Sequence, residues 1–238
     1  MKITKNKVKE LAKLNQKKYR ELSRNVVVEG VRLIEQINHY GIELEELYST
    51  ERFQNNSFLC KNNFEVTEQQ LQKITDTKNP QPIAALVQKK KICLKDNNFI
   101  LYLDGIKEPG NLGTIIRTAT ALNVDGIILS PNCCELYNPK VIRASLGTVF
   151  QLPIEIHGIE WLKKSDATIV STAMKNAEKI LAFSKPQKII LVIGSEAFGV
   201  SDEILAISHK TVKIPISKNI ESLNVAVATG IAIFQINR

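Results

Sequence analysis

Three polar loops of this 238-residue sequence carry the side chains best suited to chemistry. Each loop follows an apolar run and leads into a segment with helical patterning: EPGNLGTIIRTA, GSEAFGVSDE and SKNIESLNVAVATG. Their candidate groups are amides, a guanidinium, a carboxylate and hydroxyls, on Asn111, Asn224, Arg117, Glu196, Ser195 and Ser222. An amide both donates and accepts hydrogen bonds, a carboxylate can orient a hydroxyl, and a guanidinium binds phosphate or carboxylate through a planar fork.

The first loop excludes one familiar phosphate site. Gly105 and Gly110 have the spacing of the P-loop glycines, yet Asn111 stands where that loop needs lysine. Taken alone, each polar residue also has a purely structural explanation. Asn111 would lie near a helix cap, Arg117 in a surface ion pair, and Glu196 at a helix N-terminus, where a negative charge is favoured.

Two further enzyme classes lack support in the sequence. Ser195 directly follows Gly194, so the second loop is not the G-x-S-x-G nucleophile elbow, and the three histidines lie in no recognisable catalytic setting. The G-x-G-x-x-G pattern of dinucleotide enzymes is absent from the first loop.

The elements that must position these loops alternate regularly from Phe99 onward. Six apolar, β-rich runs are separated by helical segments: FILYL, VDGIIL, VFQLPIEI, ATIVSTA, KIILVIG and TVKIPI. This alternation predicts an α/β fold with a mostly parallel sheet covered by helices on both faces. In such sheets ligands bind at the carboxyl ends of the strands. The loops after Leu103, Ile193 and Ile216 are therefore expected to form one pocket.

The N-terminal part has a different composition. Alternating strand and helix signals over about 85 residues predict a small α/β module, and the charged stretch QKKKICLKDNN, residues 88–98, is expected to join it to the rest. The module opens with apolar residues at helical spacing as far as Leu22. Residues 1–24 hold nine of the 32 Lys and Arg but only two acidic residues. Such a helix either binds a polyanion such as RNA or is simply a solvated face.

Composition also limits the cellular setting. No apolar run is long enough to span a membrane, and the first residues lack a signal-peptide pattern, so we expect a cytoplasmic protein without a membrane partner. The four cysteines form no C-x-x-C pair and no histidine lies at ligand spacing from them. We therefore expect free, buried thiols and no metal site.

The last segment predicts a helix with little polar surface. Ser222 is a plausible N-cap, and LNVAVATGIAIFQI after it is apolar nearly all round. A helix of this kind must be buried on more than one side. Burial inside the monomer and burial against a second subunit both satisfy that requirement, and the pattern favours a dimer.

Taken together, the loops resemble the three motifs of the SpoU, or TrmH-type, RNA ribose methyltransferases of the SPOUT superfamily. The matching segments are NLGTIIR at 111–117, IGSEAFG at 193–199, and IPI followed by ESLNVAVA at 214–228. The linking stretch NPKVIRASLGTVFQLPI is also similar, and the first half resembles the small substrate-binding domain of many members. The sequence departs from the family pattern at Asn123, where glycine is usual, and in SKNIES, which lacks a common glycine.

The resemblance implies a substrate-binding domain at 1–92, a linker at 93–97 and a methyltransferase domain at 98–238. It implies a C-terminal deep trefoil knot that binds S-adenosylmethionine, and an obligate homodimer that completes the site. By motif matching, the cofactor-binding residues would be Thr172, Ala173, Gly194, Ser195, Ile214 and Leu223. The catalytic and substrate-positioning residues would be Asn111, Arg117, Glu196, Ser222 and Asn224.

The reaction implied is methyl transfer to a ribose 2′-hydroxyl of structured RNA, with ribosomal RNA favoured over transfer RNA because of the basic N-terminal domain. Arg117 is often assigned as the base in this family, but a guanidinium stays charged because its pKa exceeds about 12. We expect Arg117 to hold a phosphate that accepts the proton. The alternative from another class is a non-catalytic RNA-binding protein that retains the fold.

Overall fold

The computed structural model describes residues 1–53, 58–75, 77–94 and 98–238, which divide into two compact units. Unit 1 comprises Met1–Lys90 and Glu135–Gln151, and unit 2 comprises Lys91–Cys134 and Leu152–Arg238. The domain division expected from the sequence, at residues 92 and 98, stays a prediction. Residues 95–97 of the expected linker lie outside the described residues.

Unit 1 is built on a four-stranded sheet in the order β1-β4-β2-β3. The strands are β1 (Asn25–Glu29), β2 (Leu44–Ser49), β3 (Cys60–Glu65) and β4 (Ile83–Gln88). β4 is antiparallel to both β1 and β2, whereas β3 is parallel to β2. The central β4, IAALVQ, is buried on both faces, as its continuous apolar sequence predicts.

Among the described residues, unit 1 contains the α-helices α1 (Lys5–Lys13), α2 (Lys17–Leu22), α3 (Val31–His39), α4 (Glu68–Ile74) and α6 (Pro139–Ala144). The N-terminal pattern forms two helices rather than one, because the chain is extended at Gln16 between α1 and α2. Val8 and Leu11 of α1 enter the core beside Tyr48, whereas Leu22 is 79% exposed and does not continue the buried face.

The segment Glu135–Gln151 packs with unit 1 although it follows the first strands of unit 2 in the chain. Arg20 of α2 binds Glu135 through two nitrogens, at 2.8 and 2.7 Å, and both side chains are nearly buried. A second anchor is Lys89, whose Nζ lies 5.4 Å from the ring centroid of Tyr137.

Unit 2 contains a seven-stranded sheet in the order β7-β6-β5-β10-β8-β11-β9. Its strands are β5 (Phe99–Asp104), β6 (Gly126–Leu129), β7 (Ile154–Ile156), β8 (Thr168–Thr172), β9 (Glu178–Lys179), β10 (Ile189–Gly194) and β11 (Lys210–Lys213). Every neighbouring pair is parallel, which confirms the mostly parallel α/β sheet. The run VFQLPIEI contributes only its last residues, because Val149 and Phe150 form a 3-10 turn.

The described part of unit 2 contains the α-helices α5 (Pro109–Ala121), α7 (Ile159–Lys163), α8 (Asp202–Ile207) and α9 (Val225–Ile236). α5 and α9 pack side by side, and a Cβ on Gly230 of α9 would lie 3.3 Å from Thr118 Cγ2 of α5. Asn237, the C-cap of α9, donates a hydrogen bond to the carbonyl of Leu122, the C-cap of α5. The two helices therefore run in the same direction and end together.

The N-terminus of α9 corrects one expectation. Asn224 is the N-cap, because its Oδ1 accepts hydrogen bonds from the backbone N–H groups of Ala226 and Val227 at 3.0 and 3.3 Å. Ser222 lies two residues earlier, is exposed, and does not cap the helix.

Asn123, where the resemblance leads us to expect glycine, takes the backbone conformation for which glycine is favoured. Its φ is +55°, in the left-handed region that asparagine tolerates better than most residues. The N–H groups of Asn123 and Val124 bond back to the carbonyls of Thr120 and Ala119, which ends α5 in a Schellman motif. The substitution therefore preserves the loop shape.

The four cysteines are free, but the expectation that they are buried is wrong. Cys93 is exposed and the other three are half-buried. Across the described ranges, no group of three or more His, Cys, Asp and Glu side chains is placed to hold a metal ion. No helix in these ranges is long and apolar enough to cross a membrane.

Candidate active site

The first two polar loops leave neighbouring strands of the same sheet. β5 and β10 are parallel, and their register pairs Asp104 with Gly194 at the strand ends. The carboxylate of Asp104 also accepts a hydrogen bond from the Ser201 N–H at 2.9 Å, just beyond the second loop. These contacts fix the second loop relative to the end of β5, where the first loop begins.

The second loop folds tightly over the end of β10. No residue with a side chain fits at position 194, because a Cβ there would lie 1.9 Å from the carbonyl carbon of Gly199. Ser195 and Gly199 exchange two backbone hydrogen bonds of 3.0 Å, and the Ser195 hydroxyl accepts a third from the Phe198 N–H. The turn therefore presents residues 196–198 in a fixed arrangement.

The three loops meet through a chain of side-chain hydrogen bonds. Asn111, at the third position of α5, donates from Nδ2 to Glu196 Oε1 at 2.7 Å. Asn224, the N-cap of α9, donates from Nδ2 to Asn111 Oδ1 at 3.0 Å. Glu196 and Asn224, which lie 85 and 113 positions from Asn111 in the sequence, are thus hydrogen-bonded to it directly. The sequence-based expectation of a single cluster holds for these three residues.

The direction of this chain follows from the helix cap. Because Asn224 Oδ1 is occupied by two backbone N–H groups, its amide nitrogen must face Asn111. Asn111 then presents its oxygen to Asn224 and its nitrogen to Glu196. The Glu196 carboxylate receives this bond at one oxygen, and its other oxygen can accept a hydrogen bond from a ligand. We call Asn111, Glu196 and Asn224 the asparagine relay.

Three neighbouring strands end beside one another next to this cluster. β10, β8 and β11 are adjacent and parallel, so their carboxyl ends lie at one edge of the sheet. That edge carries five of the six expected cofactor-binding residues: Thr172, Ala173, Gly194, Ser195 and Ile214. The sixth, Leu223, immediately precedes the relay residue Asn224.

The strand ends offer chemistry that fits a nucleoside cofactor. Ile214 and Leu223 are half-buried apolar side chains of the kind that line nucleoside pockets. Two side contacts keep the strand ends in line. Ala173 N–H donates to the Val212 carbonyl at 2.9 Å, and Thr172 Oγ1 donates to the Val192 carbonyl at 3.1 Å.

Comparison with known families assigns this arrangement. The model of the SpoU rRNA Methylase family matches residues 98–234, more than half of the chain. The chain belongs to the SpoU rRNA methylase family. A second model, the MRM3-like substrate binding domain, matches residues 5–85.

Similar SpoU proteins include enzymes matched over nearly the whole chain. The sequence is 29% identical to the 23S rRNA (guanosine(2553)-2′-O)-methyltransferase RlmP of Bacillus subtilis, over 97% of this chain and 95% of that protein. The crystal structure of an AdoMet-bound rRNA methyltransferase from Sinorhizobium meliloti matches with a TM-score of 0.84 and 28% identity, covering 99% and 97% of the two chains. The TrmH/SpoU tRNA modifying enzyme of A. aeolicus matches with a TM-score of 0.54 and 28% identity, covering 60% of this chain and 76% of that one.

These matches confirm the expected enzyme class and cofactor. The chain is an S-adenosylmethionine-dependent methyltransferase of the SpoU family with the SPOUT architecture. The trefoil knot and the roles of individual residues stay predictions.

Two of the expected catalytic residues of this SpoU protein lie outside the relay. Arg117 is on α5 six residues after Asn111, which places it about 120° around the helix. Its guanidinium is exposed and makes no ion pair with any described residue. Ser222 is also exposed and contributes no hydrogen bond to the relay.

Two carboxylates, those of Glu108 and Glu196, lie near Cys134. Burial, together with the nearby Cys133, Glu108 and Glu196, raises the pKa of the Cys134 thiol to about 11. Cys134 is therefore neutral at physiological pH, and the adjacent charges are carboxylates. The negative charge that Glu108 and Glu196 contribute favours a cation such as a sulfonium.

Sequence reasoning missed four supporting residues of the SpoU site. Glu108 is the N-cap of α5, Asp104 anchors the second loop, Cys134 lies near Glu196, and Phe198 protrudes from the turn. Glu108 directly precedes Pro109 at the start of a helical pattern, which is a recognisable capping signal. The sequence carries no comparable signal for Cys134.

Proposed function

We propose that the chain transfers the methyl group of S-adenosylmethionine to a ribose 2′-hydroxyl of ribosomal RNA. The observation that carries this proposal is the asparagine relay at the strand edge that carries the expected cofactor residues. It places a carboxylate with one open oxygen next to the residues assigned to the methyl donor. A hydroxyl held there can be aligned with the donor, and alignment is the main requirement of such a transfer.

The cofactor supplies an electrophilic methyl group on a positively charged sulfur. In our proposal Gly194, Ser195, Ile214 and Leu223 bind it, with Thr172 and Ala173 at the neighbouring strand end. The backbone groups of Gly194, Ile214 and Leu223 are proposed to form hydrogen bonds with the cofactor, while the side chains of Ile214 and Leu223 exclude water from the nucleoside.

The relay positions the acceptor. Glu196 is proposed to position the acceptor ribose, and Asn111 keeps the carboxylate in place. Asn224 holds Asn111 in the required orientation. Ser222 is proposed to contact substrate from the loop before α9.

Arg117 is proposed to bind the phosphate next to the methylated ribose. A guanidinium stays charged at neutral pH, so Arg117 acts as a phosphate ligand and the phosphate accepts the hydroxyl proton. The exposure of Arg117, without an ion-pair partner among the described residues, supports this role.

Ribosomal RNA is favoured over transfer RNA by the extent of the similarities. The RlmP relative and the Sinorhizobium meliloti rRNA methyltransferase match nearly the whole chain, whereas the tRNA-modifying enzyme of A. aeolicus covers 60% of it. Residues 5–85 also match a substrate-binding domain model. A cytoplasmic location belongs to the same proposal.

The test is methyl transfer by the purified protein. Incubation with radiolabelled S-adenosylmethionine and unmodified ribosomal RNA should give labelled RNA that is resistant to alkaline cleavage at one site. Unmodified transfer RNA serves as the comparison substrate, and the Asn111→Ala variant as the control. Absence of transfer, together with absence of S-adenosylmethionine binding in calorimetry, would instead favour a non-catalytic RNA-binding protein.

Arg117 provides a test of the phosphate role. We expect Arg117→Ala to lower kcat/KM for RNA about 10- to 100-fold, since a charged hydrogen bond contributes about 1.5–3 kcal/mol. Arg117→Lys keeps the positive charge and should retain measurable single-turnover transfer. Equal activity of the two variants would mean that the planar fork itself is indispensable.

A homodimer is part of the proposal and is supported by the outer face of α9. Val227, Ile231 and Phe234 recur at helical spacing and are 52%, 41% and 63% exposed. An apolar stripe of this kind on a single chain is typical of an interface. Arg117 lies on the exposed face of the adjacent α5, one residue from Thr118, which contacts α9. A second subunit seated on α9 would therefore lie next to Arg117.

The dimer can be tested by placing a charge on this stripe. We expect Ile231→Glu to halve the mass measured by sedimentation, because a carboxylate would be desolvated in the interface. Leu22→Glu is the matched control, since Leu22 is an exposed leucine in unit 1. A monomeric wild-type protein would contradict the proposed dimer.

A further inference from the structure

Phe198 is the most exposed of the large hydrophobic side chains that the structure describes. Its relative exposure is 93%, compared with 63% for Phe234 on α9. Leaving an aromatic ring in water forfeits the free energy that its burial would provide. Such a ring next to a reaction site suggests a ligand that covers it.

The turn that carries Phe198 is rigid. Its ends are joined by the two hydrogen bonds between Ser195 and Gly199, and the Phe198 N–H is bonded to the Ser195 hydroxyl. Gly199 completes the turn with a φ of +71°. Because the backbone is already ordered, a ligand that contacts the ring loses little additional chain entropy on binding.

Phe198 stands at a defined position relative to the relay. Glu196 precedes it by two residues, so their Cα atoms are at most about 7 Å apart. Glu196 itself is fixed by Asn111. That spacing matches the short distance between a ribose hydroxyl and the base of the same or the next nucleotide.

We infer that Phe198 stacks on an unpaired RNA base at or beside the methylated nucleotide. This inference rests on the proposed function. Single-stranded RNA is recognised by aromatic side chains on which splayed bases stack, whereas a base inside a duplex has no open face. The acceptor nucleotide of this enzyme therefore lies in a loop, bulge or strand end of its RNA, and Phe198 selects for that state.

The experiment compares Phe198→Ala, Phe198→Tyr and the wild type. We expect Phe198→Ala to raise the KM for unmodified ribosomal RNA about 10- to 100-fold, in line with the effect of removing one base-stacking aromatic. S-adenosylmethionine affinity in calorimetry and the sedimentation mass should stay unchanged. Phe198→Tyr should stay within about threefold of wild type, because it keeps a stacking face. Leu181→Ala, which truncates a 64% exposed residue elsewhere in unit 2, is the control.

A fluorescent reporter makes the contact visible. Trp161 is the one tryptophan of the sequence, so Trp161→Phe combined with Phe198→Trp leaves a single indole in the turn. Stacking predicts quenching of this indole by ribosomal RNA, and by a single-stranded oligonucleotide more than by a fully paired hairpin stem of equal length.

Three outcomes would overturn the inference. The first is unchanged RNA kinetics in Phe198→Ala, and the second is equal quenching by paired and unpaired RNA. The third is a combination of two results: Phe198→Ala halves the sedimentation mass, and the indole fluorescence of the Phe198→Trp protein changes on dilution without RNA. A second subunit would then cover the ring. In all three cases wild-type methyl transfer would leave the proposed function intact. If the wild-type protein bound RNA through Phe198 but transferred no methyl group, only the proposed function would be contradicted.

Discussion

Replacing Asn224 by aspartate should abolish most of the methyl-transfer activity while leaving the fold nearly as stable. Aspartate is as good an N-cap as asparagine, so α9 keeps its two capping hydrogen bonds. The variant loses the only donor that Asn224 presents to Asn111, and it places an acceptor there instead. Asn111 must then turn its NH2 group toward the new carboxylate and its carbonyl toward Glu196.

The reversed amide misplaces Glu196. A carbonyl facing a carboxylate gives two acceptors without a proton, so the 2.7 Å hydrogen bond is lost and the side chains separate. Displacement of a positioning group by about 1 Å costs on the order of 100-fold in rate. We expect kcat to fall about 100-fold or more, with the free energy of unfolding changed by less than about 0.5 kcal/mol.

Two further variants distinguish a reversed hydrogen-bond direction from simple loss of the hydrogen bond between Asn224 and Asn111. Asn224→Ser keeps the cap but is too short to reach Asn111, so it should lose only about tenfold in kcat. Glu196→Gln should be harmful by itself, because the carboxylate is removed. In the Asn224→Asp background it should raise activity, since the new amide can donate to the turned carbonyl of Asn111. The relay would be contradicted if, in single-turnover assays of the Asn224→Asp, Glu196→Gln double variant, the activity losses of the two single substitutions simply added.

The relay also marks how far the sequence alone can predict the site. The rule that ligands bind at the carboxyl ends of parallel strands brought the loops of Asn111, Glu196 and Asn224 together. Side-chain direction could not be predicted in the same way. Ser222 and Asn224 are equally good N-caps by residue type, and only the geometry before α9 decides that Asn224 takes the position. That choice in turn sets the orientation of both amides.

Other features were beyond sequence reasoning for a different physical reason. The apolar residues of Glu135–Gln151 could pack into the core of either unit. The hydrophobic effect is non-directional, and a periodic pattern does not specify which element a helix packs against. The exposure of Phe198 is also invisible in a sequence, where a phenylalanine between alanine and glycine would be assigned to a core. The left-handed Asn123 was better signalled, since asparagine is among the few residues that replace glycine at a helix end.

Breaking the ion pair between Arg20 and Glu135 should destabilise unit 1 more than breaking an ion pair between exposed side chains. Arg20 is 6% exposed and makes four hydrogen bonds. Two go to Glu135, and two go to the carbonyls of Leu14 and Asn15, at 2.9 and 2.6 Å, which satisfies the C-terminal end of α1. One side chain therefore ties α1 and α2 to the segment Glu135–Gln151.

The expected cost follows from desolvation. Arg20→Met leaves the nearly buried Glu135 carboxylate without its hydrogen-bonded partner and with only the electrostatic interaction with Lys89, and loss of one member of a buried pair costs about 3–5 kcal/mol. Glu135→Leu leaves the guanidinium uncompensated and should cost about the same. The double variant should be less destabilised than either single variant, because no buried charge is left alone. It still loses the bonds to the α1 carbonyls, so a deficit of about 1–2 kcal/mol should remain.

The measurement is hydrogen–deuterium exchange of peptides from 1–22 and 135–151, which reports the local free energy of opening. Both peptides should exchange faster in each single variant and recover together in the double variant, because the pair holds the two segments to each other. Lys17→Met is the matched control. It breaks the ion pair with Glu21, whose partners are 64% and 58% exposed, and should change exchange by less than about 1 kcal/mol. Independent, additive effects on the two peptides would show that the segment Glu135–Gln151 is held by its apolar contacts alone.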